Sequence, residues 1–343
     1  MTSQYFKNLN KNATFVFYDS WPNFNNAERE LLKRIEYSCV LSNIEFITIS
    51  NNGIINLSYH PLFNKNINDI DTKYIDAIIS LHWESPKNTK HFTLSVLWHP
   101  LEHYHKDFNR ITELLKSDGF LLSGSPDIDN YFKSITNKPF FTELYTTLSF
   151  PIYSLNIKDD MRCFYVGINW DLITNSKGRY TDLLKLLDNE NLVNIYGPKI
   201  IHNIDVWSNY KNYIDEIKFN GTAVITEIKK CGLCLVLNSN EHCNSGIVSM
   251  RIFEALASGV PIIANKNKFL ENIFSDNIFY IDTNNETEAF YNIKNIITYI
   301  LDNKDIVYNK LKKCRDIFIN KFLLHNQLID LKYKIDSYKK LFH

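Results

Sequence analysis

The sequence predicts an α/β protein made of two consecutive Rossmann-like units followed by a helical tail. Three observations carry this reading. Short apolar runs alternate with amphipathic segments of helix length, the pattern of βαβ units and parallel sheets. The runs fall into two series, separated by the stretch Phe150–Asp160. After Glu286 the chain reads as helix to its end, with Leu, Ile, Tyr and Phe on a recurring face. A length of 343 residues suits two domains. The expected division is 1–155, 156–305 and a helical segment 306–343 that packs back toward the first domain.

In the first series the expected strands are Thr14–Tyr18, Ile44–Ile49, Ala77–Leu81, Thr93–Leu97 and Phe120–Leu122. The segment Ala27–Val40 places Leu31, Leu32 and Ile35 at helical spacing and should pack on that sheet. The second series expects strands at Cys163–Gly167, Leu192–Tyr196, Leu233–Leu237, Pro261–Ala264 and Ile278–Ile281, with helices at Tyr180–Leu187, Ala223–Lys230 and Met250–Ala257. Open α/β sheets bind ligands beyond the carboxyl ends of their strands, so two such sheets facing each other predict a ligand crevice.

Composition narrows the function. The 38 Lys and Arg balance 38 Asp and Glu, which argues against duplex DNA or an anionic membrane as main partner. With 23 Phe, 20 Tyr and 5 Trp to bury, disorder is excluded. Asn is very frequent, at 42 residues, which reads as base-composition bias and not as a physical device. The polar start MTSQYFKNLNKN lacks a secretory apolar region, and no run suits a membrane-spanning helix. Six unevenly spaced Cys do not form a disulfide framework. These features predict a cytoplasmic protein with free thiols, at most peripherally associated with the inner face of a membrane.

The most informative stretch is Asn238–Asn265, NSNEHCNSGIVSMRIFEALASGVPIIAN. It reads as strand, polar loop, helix, Gly turn and strand. Ser249 suits an N-cap and Gly259 a C′ position. A helix start under a small polar loop can hold an anion on its unpaired N–H groups. Arg251 in that first turn opposes the helix dipole, which makes better sense if the side chain meets a phosphate.

RIFEALASGVPIIA resembles the donor-binding signature of GT-B glycosyltransferases of the group 1, family-4-like type. Glu254, Ala255, Ala257, Gly259, Pro261 and Ile263 match its EA-x-A-x-G-x-P-x-I pattern. The resemblance implies that Glu254 holds hydroxyls of a nucleotide-sugar donor, and that Glu254→Ala weakens donor binding while the fold melts normally. Gly246 stands where the pattern has an acidic residue, with Glu241 and His242 further upstream. FYVGINWD (with Gly167 and Asp171), NIYGPK (with Tyr196), Trp207, Tyr210, Phe219–Gly221 and the SNEHCNSGIVSMRIFEALASG block are also similar to bacterial surface-polysaccharide transferases. Those transferases include retaining enzymes that use CMP-Kdo. Of the family's phosphate-gripping pair, typically VGR…KG, the Arg is absent because Ile168 follows Val166–Gly167, whereas Lys177–Gly178 is retained with Arg179 next to it. On spacing alone these cations read more readily as solvated surface charges.

The implied fold is therefore GT-B, with an acceptor domain first and a donor domain second. The implied activity is transfer of a sugar from a nucleotide-sugar to a glycan or lipid-linked glycan in polysaccharide, lipopolysaccharide or capsule synthesis. Retention and metal independence are expected, with no cofactor and no nucleic-acid partner. The donor would contact Gly167, Lys177, Arg179, Tyr196, His242, Gly246, Ser249, Arg251 and Glu254. LWHPLEHY, after a strand of the first series, offers Glu102 and His103 for acid–base work, or is a surface turn broken by Pro100. Asp171 suits a nucleophile, an electrostatic stabiliser or a helix N-cap. Asp19 has the same ambiguity, and Trp21 can flank an acceptor sugar.

Rival readings are an epimerase or phosphorylase on the same fold, or a catalytically silent sugar-nucleotide-binding relative. Cys231, Cys234, His242 and Cys243 raise a zinc reading that the apolar strand around Cys234 disfavours. Asp127 and Asp129 raise a divalent-cation reading that belongs to a different transferase fold.

Overall fold

The computed structural model describes residues 2–7, 9–22, 27–87, 89–175 and 177–342. The chain forms two compact units: Met1–Ser149 with Asn244–Ile247 and Phe322–His343, and Phe150–Cys243 with Val248–Lys321.

The first unit holds six parallel strands, β1 (Ala13–Tyr18), β2 (Ile44–Ile49), β3 (Ala77–Ser80), β4 (Thr93–Val96), β5 (Gly119–Leu122) and β6 (Phe140–Glu143). Their order is β2-β1-β3-β4-β5-β6, with Phe15 paired to Phe46 and Ala77. Strands β1, β3 and β4 are buried along their whole length, as expected where helices cover both faces of a parallel sheet. The helices are α1 (Thr2–Lys7), α2 (Ala27–Leu41), α3 (Leu101–Lys106), α4 (Phe108–Leu114) and α5 (Pro126–Ile135). As its spacing predicts, α2 buries Leu31, Leu32 and Ile35. The pair Arg34–Glu30, at 2.9 Å, is buried on the same helix.

In the second unit β7 (Arg162–Val166) leads through α6 (Trp170–Asn175) and α7 (Thr181–Asn189) to β8 (Val193–Tyr196). A short hairpin, β9 (Ile200–Ile201) and β10 (Ile204–Asp205), precedes β11 (Tyr213–Asp215). Then come α8 (Ala223–Cys231), β12 (Gly232–Val236), α9 (Asn240–Ser245), α10 (Met250–Ser258), β13 (Ile262–Asn265), α11 (Lys268–Phe274) and β14 (Phe279–Ile281). The parallel sheet runs β11-β8-β7-β12-β13-β14. Two long helices, α12 (Glu286–Asp302) and α13 (Lys304–Lys321), close this unit, and α14 (Leu324–Phe342) follows.

The expected strands all form, with shifts of at most one residue at their ends; β6, β11 and the hairpin strands β9 and β10 are additional. Two boundaries differ from the sequence reading. The units divide at Ser149/Phe150, not after residue 155, and the segment 306–343 is split between them. Helix α13 buries Val307, Leu311, Cys314 and Phe318 with the second unit. Helix α14 joins the first, where Leu324, Leu328, Leu331 and Ile335 share a core with Leu31, Ile35 and Phe141. The stretch 150–160 carries no helix or strand, yet it is not a loose linker. Ile152 and Tyr153 donate backbone bonds to the Ala257 carbonyl at 3.0 and 3.1 Å, and Asn156 donates to Gly259 at 2.9 Å.

Candidate functional site

In the second sheet the chain runs outward in both directions from a central pair, β7-β8-β11 on one side and β12-β13-β14 on the other. Loops leaving the carboxyl ends of β7 and β12 therefore diverge, and such a switch point leaves a ligand-sized gap. A cavity of about 450 Å³ lies there. Asp171 enters it from the segment after β7, and Lys177, Gly178, Arg179 and Tyr180 from the turn into α7. Asn240 and Glu241 follow β12, whereas Thr283, Asn284 and Glu286 follow β14.

The turn into α7 is held by specific residues. A Cβ at Gly178 would stand 2.1 Å from Asn169 Oδ1, so a larger residue there would have to displace the Asn169 side chain, whose Nδ2 donates to the Val206 carbonyl at 2.8 Å. Tyr180 adopts φ 56°, a left-handed conformation that costs a non-glycine residue about 1–2 kcal/mol. Its hydroxyl donates to the Asn238 carbonyl and accepts from Asn265 Nδ2 at 3.3 Å, anchoring the turn to the ends of β12 and β13. Tyr180 supplies no side-chain cap to α7; instead Glu286 Oε2 accepts from Leu183 N at 2.8 Å.

Both cations of the cavity are held by carboxylates. Lys177 Nζ lies 2.9 Å from Asp182, whose hydrogen bond raises the ammonium pKa. Arg179 contacts Asp171 at two points, Nε to Oδ2 at 2.9 Å and Nη2 to Oδ1 at 3.4 Å. Helix α6 starts at Trp170, so Asp171 lies in its first turn and is not its N-cap. The lining thus offers two cations and the carboxylates of Asp171, Glu241 and Glu286, a polar, hydroxyl-accepting surface.

Helix α10 forms as the sequence predicts. Ser249 Oγ accepts from Arg251 N, and Gly259 (φ 69°) returns its N–H to Ala255 at 3.0 Å. A Cβ at Gly259 would meet the Ser154 carbonyl at 2.8 Å. Arg251 has a partner within the protein: its guanidinium pairs with the fully buried carboxylate of Glu254. The position of that cation against the helix dipole is thereby explained without a ligand. His242 Nδ1 bonds Ser239 Oγ at 2.8 Å, and Gly246 (φ 64°) provides the turn between α9 and α10. Gly167 donates to the Tyr196 carbonyl at 3.1 Å. The Tyr196 ring stacks on Phe164 at 5.0 Å and its hydroxyl donates to Glu227 at 3.2 Å, so this side chain belongs to the packing under α8. Of the expected donor contacts, the cavity brings together Lys177 and Arg179, with Asp171; the others do not line it.

The first unit has its own switch point, between β1 and β3. Tyr18, Asp19, Ser20 and Trp21 meet Leu81, His82 and Ser85 there around a cavity of about 10 Å³. The rings form a row: Trp21 to His82 at 4.5 Å, His82 to His99 at 5.5 Å, His99 to His103 at 6.2 Å. Burial, with Arg110 and Lys87 nearby, pushes His82 down to about 4, so its imidazole is neutral at physiological pH. Burial raises the Asp19 carboxyl above its ordinary value, against the attraction of Arg29 and Lys33. Glu102, by contrast, is 43% exposed and pairs with Lys106 at 3.4 Å. The sequence reading missed His82; the signal was a His beside a Trp at the end of the buried run AIISL.

Two metal readings lose their residues. Asp129 accepts from Ser123 N and Oγ at 2.9 and 3.0 Å, a structural role at the start of α5. Cys234 is fully buried in β12, where burial pushes its thiol well up, and all six Cys are free thiols. Among the described residues no helix is long and apolar enough to cross a membrane.

Residues 179–314 match the family model described as "Glycosyl transferase-like". No curated protein matches the chain in sequence. The fold is similar to that of Anabaena HepE in complex with UDP-glucose (12% identity, 96% of this chain and 99% of that one, TM-score 0.60). It is also similar to an alpha-glucosyltransferase in complex with UDP (10%, 92% and 98%, 0.58). A third likeness is to an alpha-glucosyltransferase in complex with UDP and DNA containing an HMU base (10%, 96% and 98%, 0.57). Two six-stranded parallel sheets in this order give the chain the GT-B fold, and residues 179–314 of its second unit carry a glycosyltransferase-like domain.

Proposed function

We propose that the protein transfers a sugar from a nucleotide-sugar donor, bound at the switch-point cavity of the second unit, to a glycan acceptor bound at the first. The observation that carries this is the cavity itself, with Arg179 and Lys177 set among carboxylates at the carboxyl edge of a parallel sheet. Donor phosphate oxygens match the Arg179 fork and displace Asp171 from it. The carboxylate so released, with Glu241 and Glu286, accepts hydroxyls of the ribose or sugar. The bond from the anomeric carbon to the phosphate oxygen breaks, and one to the acceptor oxygen forms. The acceptor proton passes to a base of the ring row, for which the neutral His82 is suited.

Retention at the anomeric carbon belongs to the same reading, with the acceptor oxygen entering on the face from which the phosphate leaves, and so does independence of metal, with the cationic side chains stabilising the leaving phosphate. The formal charge balance favours a glycan over DNA as acceptor, and the likeness to surface-polysaccharide transferases points to polysaccharide or lipopolysaccharide synthesis at the cytoplasmic face. The test is incubation with UDP- and CMP-linked sugars, with and without EDTA, followed by NMR of the released or transferred anomer. Slow hydrolysis of one donor that survives EDTA is expected. Nucleotide-sugar binding without turnover against any glycan or DNA acceptor would mark a silent sugar-nucleotide-binding protein instead.

A further inference from the structure

A second cavity, of about 270 Å³, lies in the first unit away from its switch point. Its lining includes Tyr5, Lys11, Glu36, Ile44, Glu45 and Tyr59. Lys11 precedes β1, and Ile44 and Glu45 begin β2, so the cavity sits at the amino ends of these strands. The switch-point residues follow their carboxyl ends. Along β1 that separates the two places by about 17 Å, at roughly 3.3 Å per residue.

The cavity is built, not a chance hollow. Glu45 Oε1 accepts from the Tyr5 hydroxyl and from His60 Nε2, the latter at 3.0 Å. His60 is buried, and its Nδ1 accepts from Leu62 N at 3.1 Å, which places the proton on Nε2. Burial opposes ionisation of Glu45, yet the bonds from His60 and Tyr5 hold its carboxyl below the ordinary value. Among the described residues Glu45 Oε2 and Lys11 Nζ have no hydrogen-bonding partner. Tyr59 donates to Glu36, and its side chain leaves the residue 65% exposed.

We infer that this cavity is a saccharide-binding exosite for a neutral sugar residue. The inference rests on the reading of the protein as a glycosyltransferase, for which an already built glycan is the natural ligand. A pyranose presents hydroxyls that both give and take hydrogen bonds, and an apolar face of C–H groups. The site supplies an ammonium donor at Lys11, a carboxylate acceptor at Glu45, and tyrosine rings with Ile44 for the apolar face. Two carboxylates against one ammonium disfavour a phosphate or an acidic sugar, so the exosite does not duplicate the donor cavity. A glycan held here by one residue gains effective concentration at the transfer site.

Saturation-transfer difference NMR with glucose, galactose and N-acetylglucosamine tests this on the full chain. At least one sugar should give a signal that falls at least fivefold in Tyr59→Ala and in Lys11→Ala. Tyr59 and Lys11 are exposed, so both variants should melt as the parent does, and donor hydrolysis should be unchanged in each. Signals that survive both substitutions, or choline or inorganic phosphate saturating in place of the sugars, would overturn the exosite. Loss of donor hydrolysis and UDP binding in the parent protein would sink the transferase reading separately.

Discussion

The two sheets share a topology and differ in what they place at its break. Each reverses strand order next to its first strand, β1 with β3 and β7 with β12. At the second break the loops stand apart around about 450 Å³ and are lined by paired charges. At the first they close to about 10 Å³ around aromatic and imidazole rings. The difference teaches that topology sets where a ligand can sit, and that side-chain charge is what separates the donor and acceptor halves of the reaction proposed above. A diphosphate needs exchangeable cations, whereas an acceptor hydroxyl needs a neutral base in a dry setting.

The comparison can be broken at four points, from the largest effect down. Glu254→Ala leaves Arg251 without its buried carboxylate under the donor half, which should cost about 3 kcal/mol. The melting midpoint should fall by roughly 6–12 °C; a normal midpoint with weakened donor binding would restore the purely ligand-contacting role that the sequence implies for Glu254. His82→Ala should slow transfer about 100-fold at unchanged UDP affinity. Run beside it, Asp19→Ala, Glu102→Ala and His103→Ala rank the alternatives, and a larger loss in Glu102→Ala would move the base to α3. Arg179→Ala should weaken UDP binding about 30-fold, or roughly 2 kcal/mol, by calorimetry. Equal affinity would remove the donor from this cavity.

Near neutrality the smallest effect is that of pH. His82 is depressed to about 4 from its ordinary 6.5, so the unfolded state binds its proton first as pH falls. The stability this buried neutral ring permits is complete above pH 6.5 and is lost progressively toward pH 4. His82→Gln should flatten that slope in a series of thermal melts; an unchanged slope would show that the ring is solvated.

Much of this was legible in the sequence because it is local. Strand ends follow apolar runs, and Ser249 and Gly259 cap α10 as their types require. Lys177, Arg179 and Asp171 stand within nine residues of one another after β7, so each could be picked out from the chain itself. What escaped is either short or distant. Strand β11 has three residues and no buried one, so no apolar run announces it. Glu286 caps α7 from 103 residues away, and no pattern around either end reveals the other. Arg251 misled because its partner lies one turn on, at Glu254, where the family likeness already offered that carboxylate to a donor.

Helix α14 completes the core of a unit whose first strand begins at Ala13. During synthesis, Leu31 and Ile35 therefore wait for Leu324, Leu328 and Leu331 while the whole second unit is made. Domains generally fold as they emerge, the earlier before the later. Here that order is reversed for α14: the second unit can close its sheet on the ribosome, and the first becomes whole only once residues 322–342 have emerged. A nascent chain stalled before Phe322 should thus protect the second unit from protease and leave the first open to it.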